Sequence, residues 1–577
     1  MKRFARLFWL DLIQQFSVIT NIRRYLADSR SLVVKAAMVG VAVSLVILLL
    51  RDIVEYLLDW TFSLPDLAGT NLIILAPLLI GAMLVATLSH FTARRIPYID
   101  DHDKIHDLPD IEGDGVERAL ALYATTRPTV IHALRAETGL ANRWRYHSWS
   151  LVGRKLLATV ATVGLGGSGG LEASSVLIGE ATAAGLFKPR PRLARLGTFG
   201  HKLFDWWSLD RPEALQTLQL CGMAAAISTL VGTPLMAAFF ATEVIYRRTT
   251  IYNKFFYTLI AAVTAHVVAL LVGVGDPSIE VEVRVLPPLT LNFFLVVILT
   301  SVVVTLVSLL YSGINHAFNR VFKHVRSIWL RFAIGAGLAG LIACLTAWLS
   351  NGSTWLVLGT GEALLDQLLN SQVLISVTVL ALFARMLATS LTISSGGSAG
   401  LLVPSLVFGA MVANIFATLF DQPVVPLAAA AMAASLVTLV KVPISSLIFV
   451  SEAFGASYIF PAVVALIISS LLAYDNSIYR TQRDVARWQE LAPGFSLRRV
   501  PVPPMFAGKT IRQLNIQQQY HVNVIGMVHP DEHREIAPEP NLALAAGDEF
   551  VIIGPNEAVQ QFDQLARRDL AHYHNLN

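Results

Sequence analysis

Charge is scarce in this chain. Asp, Glu, Lys and Arg make up 15% of its 577 residues, against about 25% in ordinary soluble domains. Long stretches carry none of the four, among them Leu72–Ala93, Ala214–Thr242, Phe255–Gly275, Leu295–Asn319 and Met386–Phe420. About 20 apolar residues cross a bilayer as a helix, so the composition excludes an ordinary soluble domain and predicts a polytopic helical membrane protein. Cysteine is nearly absent. Cys221 and Cys344 both sit in apolar runs and read as small core residues, so no disulfide framework is implied. The N-terminus, MKRFARLFWLDLIQQF, lacks a long apolar core with a small-residue cleavage site. It is expected to be an amphipathic helix on the cytoplasmic interface, spanning residues 1–30, rather than a signal peptide. The net charge of +4 suits basic cytoplasmic flanks and gives no reason to expect nucleic acid as a partner.

What is present is a duplication. GGSGGLEASSVLIGEATA at Gly166–Ala183 is echoed by GGSAGLLVPSLVFGAMVA at Gly396–Ala413, with eight of eighteen positions identical. A second pair follows in the same order: MAAAISTLVGTP from Met223 and MAASLVTLVKVP from Met432, each followed by a glutamate, Glu243 and Glu452. Two ordered pairs mark an internal repeat, with halves at about 72–250 and 290–475 inside a membrane domain over 31–481. Hydrophobic helices are expected at Leu32–Leu50, Leu72–His90 and through Ala214–Ile245. Lys188–Arg195, Arg247–Arg248 and Lys323–Arg331 are candidate cytoplasmic loops by the positive-inside tendency. His102 and His106 are spaced i, i+4, a metal spacing on a helix. Pro97 and Pro109 flank them, so a solvated loop is expected and no metal site is assigned.

Beyond residue 482 the composition turns polar. A Pro-containing linker is expected at 482–504, then a small α/β domain at 505–577. Its strands fall at His521–Val528 and Glu549–Ile553, and its amphipathic helices at Gly508–Asn515 and Glu557–Arg567.

Glycine-interrupted hydrophobic segments at matching places in two halves point to a transport site, where half-helices end inside the membrane. A helix N-terminus carries unpaired N–H donors and about half a positive charge, so it suits an anion. At Gly170 and Gly400 no side chain keeps an ion from the backbone. Neither glycine cluster contains a basic residue, which predicts an anion site built from helix starts without buried Lys or Arg. The letters G-x-S-x-G occur around Ser168 and Ser398, but a nucleophile elbow needs a preceding strand and a His partner. An enzyme is therefore not expected. A cation carrier using Glu172 and Asp114 as ligands is the contrasting class.

GGLEAS at Gly169–Ser174 resembles the GREGP motif of the CLC chloride channel and transporter family. GLLVP at Gly400–Pro404 is similar to its GxFxP motif, and GDGVE at Gly113–Glu117 to its GSGxP motif. Arg385 and Thr389 fit the basic-xxx-Thr pattern ahead of GxFxP. The resemblance implies an all-α membrane domain of two inverted repeats, in a homodimer with one anion pathway per subunit, binding chloride within it. Matched residue by residue, Glu172 is the gating carboxylate, Tyr479 the tyrosine at the central anion, and Leu401 and Leu402 backbone donors to it. Asp114 replaces the serine at that anion. An ionised carboxylate there costs several kcal/mol, so Asp114 either turns away or stays protonated; it is also a good N-cap for the helix starting near Val116. The family's inner proton-transfer glutamate aligns with Val244, beside Glu243. Valine there favours passive or weakly proton-coupled chloride transport, with a proton-coupled chloride or fluoride antiporter as the alternative; Glu172 and Glu243 form the candidate proton path. Fluoride members resemble this chain less, since they lack the tyrosine matched by Tyr479.

The tail, with Gly508, Thr510, Leu514, Gly547 and Asp548, is similar to the TrkA-C (RCK-C) regulatory domain. That resemblance implies a cytosolic dimeric module that often binds a small ligand, such as a cyclic dinucleotide. It also places both termini in the cytoplasm of, most simply, a bacterial inner membrane.

Overall fold

The computed structural model describes residues 2–64, 71–99, 105–126, 139–189, 206–209, 211–246, 250–273, 285–370, 373–473, 477–482, 489–492, 495–529, 534–545, 547–555, 558–559, 561–563, 565–566 and 569. His102, Arg247–Arg248 and most of Lys188–Arg195 lie outside them, as do the side chains of the first 30 residues. The chain separates into a helical unit ending at Gln482 and a second unit that includes everything from Arg483 onward.

In the helical unit, eight helices among the described residues are long and apolar enough to cross a membrane. The first departs from expectation. One helix runs unbroken from Lys2 to Phe62, where a boundary near Arg30 is predicted. No Gly or Pro falls between Met1 and Val39, so nothing in the backbone chemistry stops it. The Ala214–Ile245 expectation departs the other way. Its helix breaks into Pro212–Val231 and Pro234–Glu243, with Gly232 left-handed at φ 73° and Pro234 starting the next helix. The second repeat breaks at the same place, between Val424–Val440 and Pro443–Ala453, and there Lys441 takes the left-handed position at φ 65°. Glycine has no Cβ to strain at positive φ, and proline fits the first helical turn.

The two glutamates of the repeat are exchanged between these breaks. Glu452 accepts hydrogen bonds from the amides of Leu235 (3.0 Å) and Met236 (2.7 Å) in the first repeat. Glu243 accepts from Ile444 (3.1 Å), Ser445 N (2.9 Å) and Ser445 Oγ (2.5 Å) in the second. Each carboxylate thus sits on the positive end of the other repeat's helix. Glu243→Gln is expected to lower stability by about 1–2 kcal/mol, read as a lower Tm of the detergent-solubilised protein.

In the second unit a five-stranded antiparallel sheet runs in the order β3 (Gln489–Ala492), β4 (Phe495–Pro501), β7 (Glu549–Pro555), β5 (Asn523–Val528), β6 (Arg534–Ile536). The strand numbers follow β1 (Arg95–Ile99) and β2 (Ile105–Pro109), a ribbon earlier in the chain. His106 lies in β2, so it does not have the helical spacing a metal pair would need. β3 and β4 occupy the stretch expected to be linker. Its prolines hid the alternation of Leu497, Arg499 and Pro501 against Arg498 and Val500, and β4 pairs along its full length with β7. Val500, Phe506, Met527, Phe550, Ile552 and Phe562 form the core. The short helix Ile511–Leu514 opens on a capping box. Thr510 Oγ1 accepts from Gln513 N at 3.2 Å, and Gln513 Oε1 accepts from Thr510 N at 2.9 Å. The Gly547–Asp548 pair makes the turn before β7: Gly547 has φ 99° and the Asp548 carboxylate accepts from Ala545 N at 2.8 Å.

Candidate functional site

The two glycine loops meet in the middle of the helical unit. Gly170 N donates to Gly400 O (3.0 Å) and Gly400 N returns a bond to Gly170 O (2.7 Å). The threonines and serines around them pair across the same axis. Ser168 Oγ lies 2.8 Å from Thr389 Oγ1, and Ser398 Oγ lies 2.9 Å from Thr159 Oγ1. Leu171 and Leu401 then enter their helices, Glu172–Leu186 and Leu402–Leu419, with nearly the same backbone angles (φ −85°, ψ −24° and φ −93°, ψ −12°). A duplicated sequence has folded into two loops bonded to each other.

A third helix start joins them. Gly115 opens the helix Gly115–Ala124 so close to the chain at Ala173 that a Cβ would fall 2.1 Å from Ala173 O. Just before it, the Asp114 carboxylate reaches two helices. Oδ1 accepts from Val116 N at 2.8 Å and Glu117 N at 3.4 Å, as an N-cap does. Oδ2 accepts from Leu401 N at 2.9 Å, across 287 residues of sequence. Asp114 neither turns away from the Leu401 amide nor serves only as a cap.

Glu172 is the first residue of its helix and 1% exposed. Its Oε2 lies against Gly170, where a Cβ would stand 2.2 Å from it, and has no hydrogen-bond partner. The charges that act on it are those of Glu362 and Asp114, both acidic. Tyr479 is also buried, and its hydroxyl has no partner. The segment carrying it is anchored at both ends: Ile478 N donates to Leu439 O (2.9 Å), Thr481 Oγ1 to Glu117 O (2.9 Å), and Gln482 Nε2 to Val440 O (2.7 Å) and Val244 O (2.9 Å). A cavity of about 270 Å³ brings Asp114, Leu401 and Tyr479 together. It is also lined by Arg95, His316, Lys323, Arg331 and Arg480, with Glu112 and Glu117 among them.

The expected residues therefore fall into three groups. Asp114, Leu401 and Tyr479 share the cavity; Leu402 is buried at the first position of its helix. Gly170 and Gly400 serve the packing of the loops: Gly170 makes room for the Glu172 carboxylate, and a Cβ on Gly400 would stand 2.8 Å from Ala173 Cβ. Glu243 is held in the helix cap described above. Arg385 is buried and donates to Gly359 O (2.8 Å), tying the chain at 356–359 to the first glycine loop, where Gly169 N donates to Gly359 O.

The expectation of a site without buried cations needs correction. Lys155, fully buried on the helix Ser148–Thr159, donates to Gly113 O (2.8 Å) and Ile111 O (3.2 Å) beside Asp114. It lies one helix before the glycine cluster, so inspecting the cluster alone misses it. Glu180 was missed too. It is buried two turns beyond Glu172 and accepts a hydrogen bond from Gln219. A second carboxylate in a run free of other charges was the available signal.

A family model described as "Voltage gated chloride channel" matches residues 120–474, and a TrkA-C domain model matches residues 496–567. The H(+)/Cl(-) exchange transporter ClcA of Yersinia pseudotuberculosis serotype IB is 22% identical over 467 residues, covering 77% of this chain and 84% of its own. The chloride/fluoride channel protein of Pseudomonas syringae pv. tomato is 23% identical over 314 residues, covering 54% of this chain and 65% of its own. A CLC-type fluoride/proton antiporter has a solved structure similar to this one, with a TM-score of 0.57 at 20% identity, over 79% of this chain and 98% of that one. A slow cyanobacterial Cl-/H+ antiporter gives a TM-score of 0.59 at 17% identity, over 78% and 96%. The paired glycine loops, the converging helix starts and a family model spanning more than half the sequence agree: this chain belongs to the voltage-gated chloride channel (CLC) family of anion transporters, with a TrkA-C domain following its membrane domain.

Proposed function

We infer that this protein exchanges a small monovalent anion, chloride or fluoride, for protons across the membrane. One observation carries the inference. A partnerless Glu172 carboxyl oxygen stands at the meeting of three helix starts, and a cavity with further titratable groups opens at Asp114. Helix starts favour an anion. A buried carboxyl can take a proton and yield its place to that anion, so one group handles both species. Two of the similar proteins are named as proton exchangers of chloride or fluoride, which favours exchange over the passive transport that Val244 suggests. Glu243 is engaged as a helix cap, so Glu172 and the cavity-lining carboxylates are the better candidates for moving protons. The cavity's basic residues, Arg95, Lys323, Arg331 and Arg480, mark the face we place toward the cytoplasm by the positive-inside tendency. We also propose a homodimer with one pathway per subunit.

Anion specificity is tested by efflux from liposomes loaded with KCl, KF or potassium gluconate. Chloride or fluoride should leave quickly and gluconate should stay. Potassium efflux that needs no anion movement would contradict the reading and favour a cation carrier. The TrkA-C domain is proposed to bind a small ligand such as a nucleotide. Cyclic dinucleotides or adenine nucleotides that bind there should raise the Tm of the whole protein with concentration; a flat response to all of them would leave the domain without that role.

A further inference from the structure

We propose that Asp114 is a tethered anion: its carboxylate occupies the Leu401 amide in competition with the transported anion and gives it up on taking a proton from the cavity. The inference rests on the anion-pathway reading but not on proton coupling. An N-cap needs one side-chain oxygen, and Oδ1 meets that need alone through Val116 N and Glu117 N. Oδ2 is left for a donor on another helix, Leu401 N at 2.9 Å. That amide belongs to the residue before a helix start, where an anion is favoured. A second observation marks the place as a ligand position. Tyr479, whose buried hydroxyl has no partner and feels the charge of Asp114, lines the same cavity as Asp114 and Leu401. A hydroxyl has a proton to donate, and a buried polar group without a partner costs free energy.

The charges around Asp114 keep the exchange in balance. On its own helix are Glu117 and Arg118, the latter donating to Asp114 O at 2.9 Å. Lys155 faces it from Ser148–Thr159, Tyr311 from the helix Leu291–Lys323, Tyr479 from the segment before Gln482, and Glu172 from its own helix start. Two cations nearby allow Asp114 to be ionised. Glu117 and Glu172 oppose it, and Glu112 and Glu117 line the cavity from which the proton comes. The step balances simply. A proton from cavity water binds the carboxylate, the Leu401 N–H bond to it is released, and the anion accepts that N–H; departure of the anion and loss of the proton restore the starting state.

Asp114→Asn separates the two jobs. An amide oxygen can still cap Val116, but an NH2 group cannot accept from Leu401 N–H. The experiment measures chloride and fluoride binding by titration calorimetry on the detergent-solubilised full chain, across about pH 5 to 8.5, in a Glu172→Gln background that silences the other carboxyl. Glu172→Gln alone should bind the anion more tightly as pH falls. Glu172→Gln with Asp114→Asn should bind about tenfold more tightly at the alkaline end and show no pH dependence. Asp114→Ser, whose hydroxyl also caps, should behave like Asn. A pH-independent affinity in Glu172→Gln alone would overturn the proposal whatever the double variant does. Equal affinities of the single and double variants at every pH, or no halide binding in either, would overturn it as well.

Discussion

Glu172→Gln should abolish proton movement driven by an anion gradient while leaving anion flux in place, with only the weaker pH dependence that the Asp114 carboxylate supplies. The wild-type carboxyl sits at its own helix start, against the glycine loop bonded to the second one, where its negative charge competes with the anion. Protonation removes that charge, so wild-type flux should rise as pH falls. Glutamine keeps the shape but carries neither the charge nor a proton to hand on. The loss of coupling should be complete rather than partial, because no other described carboxyl lies at this helix start. Anion and proton fluxes recorded on the same liposomes decide it; a variant that kept the wild-type pH profile would place the gate elsewhere.

Gly222→Ala should strongly destabilise the membrane domain. Gly222 and Gly179 face each other where the helices Pro212–Val231 and Glu172–Leu186 cross. A Cβ on either would fall 2.2 Å from the other's carbonyl oxygen. Within a membrane, helices associate through close packing of small residues, so the contact cannot simply be relaxed into solvent. Overpacking typically costs about 1–3 kcal/mol, and a clash with the Gly179 backbone, which cannot turn aside as a side chain can, puts this site at or above the top of that range. Gly153→Ala is the control of opposite sign. It lies on the helix Ser148–Thr159 with nothing within 4 Å of an added Cβ, so it should gain roughly 0.5–1 kcal/mol of helix propensity. Thermal denaturation in detergent should move the two variants in opposite directions. A Gly222→Ala protein as stable as wild type would mean that the helices do not cross this closely.

How much of this was visible beforehand depends on the kind of signal. The repeat was legible because its glycine loops keep the same letters 230 positions apart, and the structure turns that offset into reciprocal bonds between Gly170 and Gly400. Glu172 was legible as a lone carboxylate in a glycine-rich loop. The meaning of Asp114 was not, because capping and reaching Leu401 are both compatible with one aspartate before a helix; only the position of Leu401 N decides that it does both. Lys155 and the chain at 356–359 touch the site from elements remote in sequence, with no local pattern to announce them. The exchange of Glu243 and Glu452 between repeats was hidden for the same reason: each looked like a helix end, and each proved to be the cap of the other half. At β4, prolines at 501, 503 and 504 masked a strand that tertiary pairing with β7 secures.

Proton uptake into liposomes under an outward chloride or fluoride gradient, with the membrane potential clamped by valinomycin and potassium, tests the central claim most directly. With wild-type protein the anion gradient should drive protons against their own gradient, and adding an uncoupler should collapse the movement. Rapid anion efflux with no uphill proton movement under the same clamp would contradict the account and make the pathway a passive one.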